Sequence, residues 1–285
     1  MLSYRHAFHA GNHADVLKHS IIVHILRHLA QKEKAFWYLD THAGAGVYEL
    51  LGAYASQTAE YETGIARLWA SSNLPPLLAD YIAQVRALNE TEALRFYPGS
   101  PWLAWHLTRS QDRLRLFELH PTEIKILRDN FAQLQPNGKP RALLHAGDGF
   151  SGLKGFLPPP PRRAVVLLDP SYEDKQDYQR VLDTLQQSLR RFATGTYAVW
   201  YPQVQRPEAQ RFAEQLKRIA EKNWLHALLQ TCAPPRDGYG LYGSGMFILN
   251  PPYSLAENLR TALPYLVQTL GRDTAATFML EQHKI

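Results

Sequence analysis

Short apolar runs alternate along the chain with longer stretches in which apolar residues recur at helical spacing. In residues 13–30, Val16, Ile21, Ile25 and Leu29 form much of the apolar side of a predicted helix. Strands are predicted at 36–40, 114–119, 142–146, 164–169, 196–201, 225–231 and 246–249, and further helices at 101–110, 121–134, 177–193 and 207–222. Strands that alternate with helices predict an α/β fold with a doubly wound, mostly parallel sheet.

The last of these strands is expected to run against the strand before it. The two are joined by a glycine-rich loop, DGYGLYGSG at 237–245, which is too short for a helical crossover. A strand that returns without a crossover is antiparallel to its predecessor. We therefore predict a sheet that is parallel except for this last strand.

The distance along the chain between the first two strands indicates an insertion. About 70 residues separate them, far more than one crossover helix needs. We predict an inserted helical subdomain at 52–97, with the main domain formed by 1–51 and 98–285. The segment PGSP closes the insertion, and within it Ser100 is a suitable N-cap and Pro101 a suitable first residue of the next helix.

Polar residues follow the predicted strands at their carboxyl ends, where an open parallel sheet binds its ligands. The first strand runs into DTHAGAG, in which Gly44 and Gly46 allow the backbone to approach a ligand closely. Glu118 ends the second strand, where it can accept hydrogen bonds from a ribose diol, and Asp148 follows the third, where it can accept from an adenine amino group. Each of these features also has an ordinary structural explanation. The glycines can form a tight turn, Glu118 can be an exposed surface residue, and Asp148 can be a turn residue.

The segment Asp169-Pro170-Ser171-Tyr172 follows the fourth strand and resembles the D/N-P-P-Y motif of amino-methyltransferases. The lone pair of an adenine N6 amine is delocalised into the ring, so the amine is a poor nucleophile. The Asp169 carboxylate and the Pro170 carbonyl can accept its two N–H bonds, and the carboxylate also stabilises the cationic amine that forms. The Tyr172 ring is expected to stack on the extruded base. These residues predict methyl transfer to an exocyclic amine.

A second segment, Asn250-Pro251-Pro252-Tyr253, matches the literal motif better. It follows the last predicted strand, which is expected to be antiparallel. Its carboxyl end would therefore point to the opposite edge of the sheet from the other strand ends. We interpret 250–253 as a strand end and not as the active site.

The net charge and the cysteine content exclude only a few kinds of partner and site. A formal net charge of +5 and an isoelectric point of about 9.2 fit a polyanionic partner, and fit an ordinary basic protein equally well. Cys232 is the single cysteine, which excludes an intramolecular disulfide and a cysteine-based zinc site. No stretch is typical of a signal peptide or of a membrane span. We expect a monomeric, cytoplasmic protein without membrane association.

The first twenty residues are rich in aromatic, basic and histidine side chains. We predict that Tyr4, Arg5, His6 and Lys18 form an arm that contacts RNA, with Tyr4 stacking on an unpaired base. The alternative is a disordered tail. Four histidines occur here, but there is no neighbouring cysteine and no H-E-x-x-H pattern, so no metal site is expected.

Several segments together resemble the RlmJ-type bacterial 23S ribosomal RNA adenine-N6 methyltransferases. They extend over nearly the whole chain and are LSYRHAFHAGNHADVLKH, YLDTHAGAG, PGSP, ELHP, GDGF, DPSYE and FATGTYAVWYP. The resemblance implies a Rossmann-like class I methyltransferase fold with a small helical insertion. It also implies S-adenosylmethionine as the methyl donor and an adenine of 23S ribosomal RNA as the substrate.

The resemblance also implies roles for individual residues. The implied cofactor contacts are His19, His42, Ser100, Glu118, Asp148 and Gly149. Asp169 would be the catalytic residue, beside the cofactor, and Tyr4 would contact RNA. Ser171 stands where the familiar motif has a second proline, which loosens the loop but leaves the carboxylate, the Pro170 carbonyl and the tyrosine in place.

Other functions share parts of this pattern. They are methylation of an adenine in DNA, methylation of a glutamine side chain in a protein, and RNA binding by a module that has kept the fold but lost the cofactor. The N-terminal arm and the positive charge favour nucleic acid over protein, and the intact Asp169 and Tyr172 favour catalysis. The choice of RNA over DNA rests on the resemblance.

Overall fold

Strands and helices alternate through the part of the chain that the computed structural model describes, which is residues 5–52, 54–135 and 140–284. The strands are β1 (Trp37–Asp40), β2 (Val47–Glu49), β3 (Phe96–Pro98), β4 (Arg113–Glu118), β5 (Ala142–Ala146), β6 (Ala164–Leu168), β7 (Thr196–Gln203), β8 (Trp224–Gln230), β9 (Gly243–Leu249) and β10 (Thr277–His283). The α-helices are α1 (His13–Ala30), α2 (Ala55–Thr58), α3 (Ile65–Trp69), α4 (Pro76–Leu88), α5 (Ser100–Leu107), α6 (Pro121–Leu134), α7 (Gly149–Leu153), α8 (Gln176–Arg191), α9 (Pro207–Ala220) and α10 (Leu255–Leu270).

Eight of these strands form one sheet in the order β5-β4-β1-β6-β7-β9-β8-β10. The strands from β5 to β7 are parallel to one another, whereas β9 is antiparallel to both β7 and β8. The predicted α/β fold and the predicted reversal of the strand at 246–249 are therefore confirmed. The carboxyl ends of the five parallel strands meet at one edge of the sheet, and that of β9 lies at the other.

The sequence pattern does not predict β10 or the short hairpin of β2 and β3. β10 pairs with β8 at the edge of the sheet, and its side chains are half-buried or exposed. β2 and β3 have three residues each. Short strands and edge strands bury too little surface to leave a clear run of apolar residues, because burial is what selects strand composition.

Helices cover both faces of the sheet. On one face α8 and α9 each bury a single apolar stripe, which includes Leu185 and Phe212. On the other face α1 is buried along most of its length, because α4, α5 and α10 pack against it. Its polar residues near the amino end, Asp15 and Lys18, are therefore buried as well. Among the described residues, no helix is long and apolar enough to cross a membrane.

The segment between β2 and β3 contains α2, α3 and α4, and the two strands pair with each other at its base. The described residues of this segment share their core with α1, since Tyr81 and Val85 belong to the same apolar cluster as Ile25. Hydrogen bonds cross the same contact. The Tyr81 hydroxyl lies 2.8 Å from that of Tyr97, which lies 2.7 Å from His19 Nδ1. The inserted helices thus pack directly on the helix that borders the site described below.

Replacing Tyr81 by Phe removes one hydroxyl from this buried chain and keeps the ring. We expect the free energy of unfolding to fall by about 1 kcal/mol, the usual net contribution of one buried hydrogen bond. Urea denaturation followed by circular dichroism measures the change. Tyr253→Phe is the matched control, because that side chain is 81% exposed. Equal stability of the two variants would mean that the hydroxyl chain contributes nothing.

Candidate active site

A cavity of about 950 Å³ opens at the carboxyl ends of the parallel strands. The loops after these strands line it, and the beginning of the chain with the first turns of α1 forms one wall. The predicted site residues at its border are His6, Lys18, His19, His42, Gly44, Ser100, Glu118, Asp148, Gly149, Asp169, Pro170 and Tyr172. The structure thus brings most of the residues singled out in the sequence to one place, whereas Arg5 and Gly46 are not among the lining residues.

Asp40, at the end of β1, fixes the start of the glycine loop. Its carboxylate is fully buried and accepts from the hydroxyls of Tyr38 (2.7 Å) and Ser100 (2.6 Å) and from the amide of His42 (3.1 Å). Burial raises the pKa of Asp40. The predicted N-cap role of Ser100 is wrong, because Gly99 occupies the N-cap position of α5. The Ser100 hydroxyl instead ties α5 to β1.

Glu118, at the end of β4, holds two loops through its carboxylate. It accepts from the amides of Gly44 (2.7 Å) and His120 (2.6 Å), and burial raises its pKa. Gly44 has a φ of +63°, and a Cβ there would collide with the Tyr48 hydroxyl, so glycine is required. Gly46 has a φ of +83° and supports packing against α6, away from the cavity.

Asp148, after β5, is the N-cap of α7 and an ion-pair partner. One oxygen accepts from the Phe150 amide at 3.1 Å, and the other lies 2.9 Å from the guanidinium of Arg180. Arg180 also lies over the Phe150 ring, 4.3 Å from its centroid. A Cβ at Gly149 would collide with the Thr41 backbone, so this glycine allows the loops after β1 and β5 to touch.

His19 and His42 border the cavity as neutral side chains. His19 is 1% exposed and bonded to Tyr97. His42 Nδ1 lies 2.8 Å from the Thr41 hydroxyl, and its ring meets Phe150 edge-on. Burial lowers the pKa of each histidine to about 3. Both rings therefore offer one donor and one acceptor nitrogen near neutral pH and carry no charge.

Lys18 lies between two carboxylates on the floor of the cavity. Its Nζ is 2.6 Å from Asp169 Oδ2 and 3.0 Å from Asp15 Oδ1. Asp15 also accepts from the Gly11 amide at 2.9 Å and lies 2.9 Å from His6 Nε2. The RNA contact expected of Lys18 stays a prediction; in the structure its side chain is 6% exposed and is held by two acidic groups.

Opposing effects set the ionisation of these groups. Burial raises the pKa of Asp169 to about 6, and the Lys18 ammonium acts against that rise. Burial also disfavours the charged form of Asp15, but His6 and Lys18 hold its pKa well below the usual range. The two carboxylates raise the pKa of Lys18. Lys18 thus favours the ionised form of Asp169 in an environment where burial favours the protonated form.

Tyr172 borders the cavity but does not present its ring there. It is 2% exposed, adopts a φ of +55°, and donates its hydroxyl to the Trp200 carbonyl at 2.7 Å. Its ring packs against Tyr178, with the centroids 4.5 Å apart. The expected stacking of Tyr172 on a base is therefore corrected for this structure, in which the ring shapes the loop after β6. Trp200 also borders the cavity, with its ring centroid 5.6 Å from Lys18 Nζ.

The N-terminal arm rests on the inserted helices. Arg5 donates to the Tyr54 hydroxyl at 2.8 Å, so its guanidinium faces the insertion. The two carboxylate oxygens of Glu60 contact His9 Nδ1 at 2.8 Å and the Asn12 amide group at 2.9 Å. Asn12 in turn caps α1 by accepting from the amides of residues 14 and 15. Tyr4, the residue predicted to stack on RNA, lies outside the described residues.

The rival motif at 250–253 lies at the opposite edge of the sheet. The Asn250 amide group donates to the carbonyls of Ala193 (2.8 Å) and Gly195 (2.7 Å), just before β7 begins. Tyr253 is 81% exposed, and its ring meets that of His28 edge-on. The segment ends a strand and braces a loop, far from the cavity, as interpreted from the sequence.

The prediction does not include several residues of the site, among them Asp15, Arg180, Glu60 and Trp200. Asp15 could have been found from its spacing, since Lys18 and His19 follow it at i+3 and i+4 on the same helix face. Arg180 and Glu60 give no such signal, because each lies on a polar surface in the sequence pattern. Trp200 is part of an apolar strand run, and only the tertiary structure shows that it borders the cavity.

The sheet order and the acidic residues at its strand ends define the class of the protein. A mostly parallel sheet in which β9 is reversed and β10 pairs antiparallel to β8 at the edge, with carboxylates at the ends of β1 and β4 and after β5 and with Asp-Pro-Ser-Tyr after β6, is the architecture of a class I methyltransferase. The chain belongs to the family described as ribosomal RNA large subunit methyltransferase D, RlmJ, whose sequence model matches residues 33–280. The family resemblance is therefore confirmed.

Two relatives and one solved structure are similar over nearly their whole length. The ribosomal RNA large subunit methyltransferase J of Escherichia coli K12 is 46% identical over 266 residues, which cover 93% of each chain. The protein of the same name from Haemophilus influenzae Rd is 43% identical over 282 residues, 99% of this chain and 98% of that one. A crystal structure of a Legionella pneumophila protein aligns with a TM-score of 0.87 at 35% identity, covering 96% and 98% of the two chains.

The contact between Glu60 and His9 predicts a raised pKa for this histidine. The hydrogen bond to Glu60 raises the pKa of His9 above its ordinary value of 6.5, despite partial burial. A raised pKa means that the pair stabilises the docked arm fully below about pH 6.5, and that this contribution is lost as the pH rises through the pKa of His9. In Glu60→Gln we expect the His9 pKa, measured by NMR titration, to move down towards 6.5. The His28 titration at the opposite edge is the control and should not change; an unchanged His9 would exclude the contact.

Proposed function

We propose that the protein transfers a methyl group from S-adenosylmethionine to N6 of an adenine in 23S ribosomal RNA. The observation that carries the proposal is the position of Asp169, whose side chain is 12% exposed and which directly follows β6 in the Asp-Pro-Ser-Tyr segment, at a cavity with room for a cofactor and one base. The two relatives are named as methyltransferases of large-subunit ribosomal RNA. Their names support ribosomal RNA over DNA or a protein glutamine.

The residues at the ends of β1, β4 and β5 fit S-adenosylmethionine. Glu118 presents a carboxylate at the strand end where nucleotide-binding folds hold a ribose, and each of its oxygens has a further lone pair beyond the amides it accepts. Asp148 presents an acceptor at the next strand end. Gly44 and Gly149 give bare backbone beside them. When bound, the cofactor supplies a methyl group activated by a sulfonium.

Asp169 and Pro170 are placed to make the adenine N6 amine more nucleophilic. We assign the Asp169 carboxylate and the Pro170 carbonyl as acceptors for the two N6 hydrogens, which localises the nitrogen lone pair. A carboxylate in this position also stabilises positive charge on the amine and takes up its proton. These roles require the ionised form of Asp169, which Lys18 favours at 2.6 Å. Asp15 is the second acidic partner of Lys18, and its other oxygen lies 2.9 Å from His6 Nε2.

The wall of the cavity receives the base. The Tyr172 ring is buried, whereas Trp200 borders the cavity near Lys18, with Pro202 two residues further along β7. Flat apolar groups of this kind bind the face of an extruded base without regard to its sequence context. We therefore assign the ring of the adenine to the space between Trp200 and the loop after β6.

Ribosomal RNA from cells with and without the protein tests the function directly. Mass spectrometry of digested 23S RNA should show one N6-methyladenosine that is lost without the protein and restored when purified protein and S-adenosylmethionine are added. Identical nucleoside profiles in the two strains would refute the proposed substrate. Binding of S-adenosylmethionine in calorimetry separates an enzyme from a module that binds RNA without the cofactor.

Asp169→Asn should lower kcat on 23S RNA by about 10²-fold or more, because the amide is a weaker acceptor and cannot take up the proton. The dissociation constant for S-adenosylmethionine, measured by calorimetry, should stay close to that of the wild type. Asn250→Ala alters the rival motif at the opposite edge and serves as the control, with near-normal kcat. A reversed ranking of the two variants would move the active site to 250–253.

The pH dependence of kcat/KM should report the ionisation of Asp169. Activity rises as the carboxylate loses its proton, so we expect an acidic limb with a midpoint near the Asp169 pKa of about 6. Lys18→Met removes the cation that favours the charged form, so the limb should move to higher pH. Rates measured from roughly pH 5 to 9 with 23S RNA show both effects. A limb that moves to lower pH in Lys18→Met would contradict the role of Lys18.

A further inference from the structure

The loop between β8 and β9 brings an exposed aromatic ring to the rim of the same cavity. Gly240 and Leu241 of this loop line the cavity, and the neighbouring Tyr239 is 82% exposed. We propose that Tyr239 stacks on an unpaired nucleotide of the RNA substrate next to the adenine that enters the cavity, while Arg236 contacts its phosphate. This inference rests on the proposed function and identifies a surface that selects the RNA.

The stem of the loop is fixed on the sheet. The Thr231 amide donates to the Tyr242 carbonyl at 2.8 Å, and the Tyr242 amide donates to the Gln203 carbonyl at 3.2 Å. Arg272 adds a contact to the Leu241 carbonyl at 3.4 Å. These bonds attach the loop to β7, whose end also carries the cavity wall. The rim therefore keeps a defined position relative to Asp169.

The backbone at the tip directs the tyrosine outward. Tyr239 lies between Gly238 and Gly240, whose φ values of +76° and +108° are in the region that favours glycine. The Tyr239 amide donates to Asp237 Oδ1 at 3.1 Å, and the Gly238 amide to the Pro235 carbonyl at 3.1 Å. With 82% of its surface exposed, the Tyr239 ring adds little burial energy to the fold, and its face is open to a base.

The chemistry of the rim matches single-stranded RNA. Exposed aromatic rings bind the faces of unstacked bases, and arginines beside them bind the phosphates. Arg236 is exposed on the same loop, and Arg206 borders the cavity below it. When one adenine leaves its stack to enter the cavity, the flanking base loses a neighbour. A ring at the rim replaces that neighbour and holds the strand in register with Asp169.

Steady-state methylation of 23S RNA from cells that lack the protein tests the inference. Tyr239→Ala should raise KM for RNA about tenfold or more, with kcat changed little and S-adenosylmethionine affinity unchanged. Tyr239→Phe keeps the ring and should behave like the wild type, whereas Tyr239→Leu keeps apolar bulk without an aromatic face and should resemble the alanine variant. Tyr253→Ala is the matched control, because Tyr253 is equally exposed at 81% but lies at the opposite edge.

The possible outcomes distinguish failure of the proposed Tyr239 contact from failure of the proposed methyltransferase function. If the wild type methylates 23S RNA and Tyr239→Ala has the same KM as Tyr253→Ala, the inference is overturned and the proposed function stands. A weakened affinity for S-adenosylmethionine in Tyr239→Ala also overturns it, because the loop would then serve the cofactor. A wild type that does not methylate RNA overturns the proposed function itself. In Arg236→Gln, the negative slope of log affinity against log salt should become less steep by about 0.7, the value for one phosphate contact on a single strand.

Discussion

Lys18 is buried between the carboxylates of Asp15 and Asp169, and the rest of the site depends on this arrangement. Burying isolated charges is costly, and removing one member of such a cluster leaves the others unpaired. The positions of α1 and of the loop after β6 are therefore coupled by charge as well as by apolar packing. The Asn12 cap, the Glu60 contact and the Tyr97 hydroxyl all act on the same helix, so distant parts of the chain hold one ammonium group in place.

The fold could be predicted where burial leaves a pattern in the sequence. The interior strands β6 and β9 are fully buried, and their apolar runs identify them. The reversal of β9 follows from the length of the loop before it. β10 could not be predicted in this way, since an edge strand buries little, and the pairing of β2 with β3 spans the whole insertion. Such contacts are set by the tertiary structure and leave no local signal.

The candidate site was predictable where a residue type sits at a strand end. Asp169, Glu118 and Asp148 lie where the alternation of strands and helices places them. The orientation of side chains was harder to predict. Tyr172 has the right position in its motif, yet its ring packs inward because the left-handed backbone at this residue turns it towards α8 and α9. Lys18 appears in the sequence as one of several basic residues; Asp15 lies one turn away on the same helix, whereas only the tertiary structure brings Asp169 to the lysine.

The antiparallel direction of β9 has a consequence for how proteins of this architecture diversify. A parallel strand in its place would need a helical crossover packed on the core, whereas a reversed strand is reached by a surface loop. Surface loops accept changes in length and sequence at little expense to stability. The groups that perform the chemistry lie directly after the core strands and on α1, apart from the loop before β9, so an enzyme built in this way can acquire a new substrate preference at that loop and leave its reaction intact.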